Sequence, residues 1–146
     1  SSASALAMAR SNMEHNQLDT SRATWLQADV NASLRQFIAA GRHFDAIVLD
    51  PPKFARNRFH VVEALRAYHR INRVAVDLLE TDGILVTCSC SGSVSRQDFL
   101  DMLTGVAAKS RRSIHLLEQR GHAGDHPISL ACPENEYLKC IICRVV

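Results

Sequence analysis

The most constraining feature of the chain is a short apolar run, Phe44-Asp45-Ala46-Ile47-Val48-Leu49, stopped at once by Asp50-Pro51-Pro52. Consecutive prolines lack amide donors and fix φ, so neither a helix nor a sheet ladder continues through them. The run is read as a strand buried on both faces, of the kind found in parallel sheets, and it ends on a carboxylate. Parallel strands need long crossovers, usually helical, and the flanking sequence must supply them.

The flanks do. Residues 2–16 place Ala5, Leu6, Met8, Ala9 and Met13 at helical spacing, and a strand is expected over 23–28, ending at Asp29. A helix over 31–40 shows Leu34, Phe37 and Ile38 on one face and stops at Gly41, which tolerates the positive φ of a helix C-terminus. Over 59–79 the positions Val62, Leu65, Ile71, Val74, Ala75, Leu78 and Leu79 keep a period near 3.6, and Asp82-Gly83 supplies a stop before a strand over 84–88. Ser95 is placed to cap a helix carrying Phe99, Leu100, Leu103 and Val106. Strands over 114–118 and 137–146, joined by a polar loop with Pro127 and Pro133, complete the pattern. This alternation implies a mainly parallel sheet with helices on both faces, a three-layer α/β domain that binds ligands at the carboxyl ends of its strands. Those ends are Asp29, Asp50-Pro51-Pro52-Lys53-Phe54 and Ser89-Cys90-Ser91-Gly92.

With 146 residues, 47% hydrophobic and 22% charged, the chain has the length and composition of one globular domain, which excludes disordered, collagenous and coiled-coil classes. No apolar run reaches the roughly 20 residues of a membrane helix. The opening residues lack the basic and apolar regions of a secretion signal, so a cytoplasmic location without membrane contact is expected. Five cysteines, at 88, 90, 132, 140 and 143, lie in or beside apolar runs without scaffold spacing and are read as reduced thiols. A net charge of +2 creates no strong field, so nucleic-acid contact must come from local clusters.

Asp-Pro is a common way to start a turn, yet Asp50 at the mouth of a buried strand, with Lys53 and Phe54 beside it, suits the pairing of a planar base. In Thr87-Cys88-Ser89-Cys90-Ser91-Gly92, strand alternation sends Cys88 and Cys90 to one side. Cys88 is read as a small buried hydrophobe, whereas Cys90 reaches the Ser-Gly exit where a thiolate can act as a nucleophile. A zinc site from Cys88, Cys90, Cys140 and Cys143 is disfavoured because residues 140 and 143 face opposite sides of a strand. Lys53, Arg56 and Arg58 form a basic cluster beside the expected site and are read as RNA contacts. Arg66, Arg70 and Arg73 serve equally as a phosphate track or a solvated helix face, and Lys109, Arg111 and Arg112 are accounted for by a helix dipole.

Asp50-Pro51-Pro52-Lys53-Phe54, Ser89-Cys90-Ser91-Gly92 and the tail Tyr137-Leu138-Lys139 to Cys143-Arg144-Val145 together make the chain resemble the catalytic domain of class I S-adenosylmethionine-dependent RNA methyltransferases. The resemblance is strongest to the bacterial enzymes that form 5-methylcytosine in large-subunit ribosomal RNA, and it extends over essentially the whole chain. It implies a Rossmann-like sheet with an antiparallel C-terminal strand, S-adenosylmethionine as cofactor and ribosomal RNA as partner. Cys90 would add to C6 of cytosine and Asp50 would hold the base edge. Asp29 would lie near the cofactor's adenine, with Asp50 and Pro51 at its methionine end. The family's first two strands, its Gly-rich loop and its N-terminal RNA-binding domain have no counterpart here. Residues 1–146 are therefore expected to be the C-terminal part of one catalytic domain, binding cofactor weakly alone and associating through exposed sheet edges. Two rivals differ in class: a purine-nitrogen methyltransferase in which Cys90 only packs, and a non-catalytic RNA- or protein-binding module.

Overall fold

A computed structural model of the chain describes residues 2–132 and 135–146, so Pro133 of the expected loop lies outside the described residues. Two compact units are distinguished, Ser1–Gln36 and Phe37–Val146. In the first, α1 (Ala3–His15) is capped by Ser2, whose hydroxyl accepts from the Ala5 amide at 3.2 Å. A 3-10 turn (Thr20–Arg22) follows, and α2 (Val30–Ala39) starts where Asp29 Oδ1 accepts from the Ala32 amide at 2.8 Å. The strand expected over 23–28 is not formed. Ala23 has an extended backbone, but a strand is defined by its ladder, and this unit contains no sheet to supply one.

The second unit opens with the end of α2, where Gly41 takes φ +63° and the Gly41 and Arg42 amides bond back to Ile38 and Phe37 carbonyls. Then come β1 (Phe44–Leu49), α3 (Val61–Leu78), β2 (Leu79–Ser89), α4 (Arg96–Ser110), β3 (Ile114–Arg120) and β4 (Lys139–Val145). The sheet order is β1-β2-β4-β3, with β1 parallel to β2 and β4 antiparallel to both of its neighbours. Three strands thus run one way and the last runs back, as the sequence predicts. Ser95 closes a capping box with Asp98 at the start of α4.

α3 and α4 pack together over one sheet face, where Leu85, Thr87 and Ser89 of β2 and Ile141, Cys143 and Val145 of β4 are buried with Tyr68, Ala75, Phe99 and Val106. The alternate residues Ile84, Val86, Cys88, Cys140 and Ile142 share the opposite face and are only partly buried. The expectation that 44–49 is buried on both faces is corrected here. β1 is an edge strand, and Val48, opposite Val86 on the second face, is 68% exposed.

Asp82-Gly83 does not precede β2 but lies within it. The register jumps from Phe44↔Leu79 to Ala46↔Ile84, and the extra residues form a bulge in which Asp82 has φ +64°. Arg112 also differs from its expected role at the end of its own helix. Its guanidinium donates to the carbonyls of Val76 and Leu79 at the end of α3, and to those of Glu80 and Val145. No helix among the described residues is long and apolar enough to cross a membrane.

Candidate active site at the ends of β1 and β2

β1 and β2 are adjacent and parallel, so their carboxyl ends open side by side. From β1, Leu49 is buried, Asp50 is exposed, and Pro51-Pro52 lead into a turn whose Ala55 is fully buried. The Ala55 amide donates to Ser91 Oγ at 3.1 Å, which fastens the turn to the exit of β2. Ser89 and Ser91 are both completely buried. Ser89 Oγ donates to the Tyr68 hydroxyl at 3.0 Å and accepts from the Ser91 amide at 3.3 Å, while the Tyr68 and Ser91 hydroxyls share a bond at 3.1 Å. Tyr68 is itself fixed between the rings of Phe54, 4.7 Å between centroids, and Phe99, 5.2 Å. From β4, Lys139 stands opposite Ser89 in register and is 3% exposed, and its ammonium donates to the Ser91 carbonyl at 2.7 Å and the Tyr137 carbonyl at 2.8 Å.

These bonds turn both neighbours of Cys90 inward. Cys90 is left half-buried, continuing the side of the sheet on which Cys88 lies. The Cys88 thiol is pushed up to about 12, first by burial, then by its hydrogen bond with Cys140 and by the negative charges of Cys140, Asp50 and Cys90. Asp50 and Cys90 therefore stand within electrostatic reach of one point on the sheet. Lys139 is pushed down to about 8, chiefly by burial; the charge of Cys90 pulls the other way, followed by opposing influences of Arg96 and of Glu136 and Asp98. Cys143 lies on the helix-covered face, with its thiol pushed up to about 11 by burial, apart from Cys88 and Cys140 on the opposite face. No group of three or more His, Cys, Asp or Glu with metal-binding geometry occurs among the described residues.

Asp50, Pro51 and Cys90 are thus brought to neighbouring strand ends. Lys53, Arg56 and Arg58 lie exposed on the turn between them and α3. Phe54 is half-buried against Tyr68 and serves as packing on that side. Asp29 belongs to the other unit, where one carboxylate oxygen caps α2. Arg66 and Arg70 are exposed, while Arg73 is paired with Asp77, which interrupts the basic stripe.

Sequence reasoning missed the parts of Tyr68 and Lys139, which join Ser89 and Ser91 of the strand-exit motif in an internal bracket around Cys90, and it missed Phe59, which stands 93% exposed beside Arg58. The available signal for Phe59 was Asn57, whose Oδ1 accepts from the Phe59 amide at 3.0 Å in a side-chain-closed turn.

No family model matches the chain. The chain is 45% identical over 144 residues to Ribosomal RNA large subunit methyltransferase I of Shewanella denitrificans, a match covering 99% of this chain and 36% of that protein. It is 42% identical over 142 residues to the protein of the same name from Salmonella arizonae, covering 97% and 35%. The chain spans about a third of the length of the curated relatives it matches. Its structure is similar to the crystal structure of the methyltransferase SMU.776 complexed with SAH, with TM-score 0.84 and 21% identity over 98% of this chain and 37% of that one. The architecture built above from β1 to β4 is accordingly a Rossmann-like methyltransferase sheet.

Proposed function

We propose that the chain is part of an S-adenosylmethionine-dependent ribosomal RNA methyltransferase acting on C5 of a cytosine, with Cys90 as nucleophile. The observation that carries this reading is the bracket of Ser89 and Ser91, which leaves the Cys90 thiol half-buried at the exit of β2, the strand paired in parallel with the one that ends at Asp50. The identity to two large-subunit ribosomal RNA methyltransferases supports the substrate class.

The residues present fit the cofactor. An exposed carboxylate followed by two prolines offers acceptors without competing amide donors, which suits a cationic amino-acid end at Asp50 and Pro51. When bound, S-adenosylmethionine supplies an electrophilic methyl group.

The residues of this chain do the rest. The Cys90 thiolate adds to C6 of the cytosine, forming a carbon–sulfur bond and making C5 nucleophilic. Asp50 holds the edge of the ring in place. After C5 is methylated, loss of its proton restores the double bond and expels the thiolate. The base must leave its stack to reach the site, and Lys53, Arg56 and Arg58 are positioned to hold the flanking phosphates.

The test is large-subunit ribosomal RNA containing 5-fluorocytidine, in which C5 carries no second removable proton once methylated. With S-adenosylmethionine present, a protein–RNA adduct stable to denaturing detergent is expected for the whole enzyme of which this chain is proposed to be part, and absent when it carries Cys90→Ala. If Cys90→Ser methylates ordinary RNA at the wild-type rate, the purine-nitrogen reading replaces this one. Calorimetric titration with S-adenosylmethionine separately determines whether this chain holds the cofactor by itself.

A further inference from the structure

The buried Lys139 is the feature that the proposed chemistry does not yet use. Lysine is rarely buried without an anionic partner, because the ammonium loses its hydration. Here the side chain is 3% exposed, and no carboxylate lies within ion-pair distance of it among the described residues. Among the described residues its hydrogen bonds run to two neutral carbonyls, those of Ser91 and Tyr137. An ammonium has three N–H donors, so one is left over. For merely holding a loop, a neutral donor would serve without the desolvation cost.

What the position does offer is a hold on the residue that follows Cys90. Lys139 lies opposite Ser89 in the β2–β4 ladder and grips the residue following Cys90, and the charge on Cys90 acts directly on it. We infer that Lys139 is a positioning residue for Cys90: its ammonium fixes the Ser91 carbonyl and sets a positive charge one residue along from the thiol, as counter-charge to the thiolate during attack and release. The inference rests on the proposed role of Cys90 as nucleophile.

The charged groups that face Lys139 are Cys90 from the β2 exit, Arg96 and Asp98 from α4, and Glu136 just before β4.

The test uses two alkylating reagents on the intact chain and needs neither RNA nor cofactor. Iodoacetate is anionic and iodoacetamide neutral; the ratio of their rates at Cys90, read by fragment-ion mass spectrometry that separates it from Cys88, reports local charge. Loosening of the loop alters both rates together, whereas loss of a nearby cation lowers the ratio. At pH 7, Lys139→Met is expected to lower the ratio about three- to tenfold, and Lys139→Arg to restore most of it. An unchanged ratio in a folded Lys139→Met overturns the inference.

Should that variant fail to fold, Lys139→Gln, which keeps a donor for the Ser91 and Tyr137 carbonyls but no charge, takes its place; the same fall in the ratio is expected, and an unchanged ratio overturns the inference. Failure of the nucleophile reading is seen separately, as methylation that persists in Cys90→Ala.

Discussion

Cys88 near the end of β2 and Cys90 just past it lie on one side of the sheet, and the reading proposed above gives them different parts to play. Cys88 is packed against Cys140 within the ladder, and burial, helped by neighbouring negative charges, pushes its thiol up to about 12. Only the thiolate is nucleophilic, so at pH 8 fewer than about one Cys88 in a thousand is reactive. Iodoacetamide at pH 8 is therefore expected to leave Cys88 and Cys143 unlabelled while Cys90 reacts, with labelling of these two raised thiols increasing about tenfold per pH unit above that. Cys88 reacting like a free thiol at pH 8 would contradict this. The sign for stability is the same: between about pH 9 and 12 the native state keeps protons that the unfolded chain has released, so these two thiols make folding less favourable as pH rises. Asp50 and Cys90 were legible in the sequence because each stands at a strand exit marked by a break in the apolar pattern. Tyr68 and Lys139 were not, because a tyrosine on a core-facing helix stripe and a lysine opening a strand look ordinary until the fold brings both to Ser91.

Element order was readable because helices and strands here carry clean periodicity; pairing was not, since no local pattern encodes a neighbour. The segment 23–28 has the composition of a strand and an extended start, yet joins no ladder. Conversely, Asp82-Gly83 reads as a boundary, and the ladder runs through it as a bulge. The bulge explains the glycine. A Cβ at Gly83 would stand 2.9 Å from the Glu80 carbonyl oxygen and 3.3 Å from that of Asp45 on the paired strand, both backbone atoms that cannot swing away. Gly83→Ala is expected to destabilise the chain by about 1–3 kcal/mol, measured by urea unfolding, with the m-value unchanged. The damage should propagate to the far end of β2, because the same strand delivers Cys90. A substitution within about 0.3 kcal/mol of the wild type would mean the bulge adapts freely.

For the molecule as a whole, a net charge of +2 makes no strong long-range field, so the RNA contact proposed above has to rest on local clusters. The turn between β1 and α3 concentrates what is needed: Lys53, Arg56 and Arg58 are exposed, and Phe59 beside them presents its ring to solvent at 93% exposure. An apolar ring so exposed gains nothing in the free protein, whereas a nucleobase stacked on it removes two apolar faces from water. The two kinds of residue are separable by salt. Each phosphate contact in single-stranded RNA contributes about 0.7 to the slope of log affinity against log salt. Replacing Lys53, Arg56 and Arg58 together by glutamine should therefore flatten the slope by about 2, as measured by fluorescence anisotropy with a single-stranded ribosomal RNA oligonucleotide. Phe59→Ala should leave the slope intact and weaken binding by about five- to a hundredfold at every salt concentration. An unaltered slope in the triple variant would move the RNA-binding surface elsewhere, with the exposed Arg66 and Arg70 of α3 the next cations along the chain.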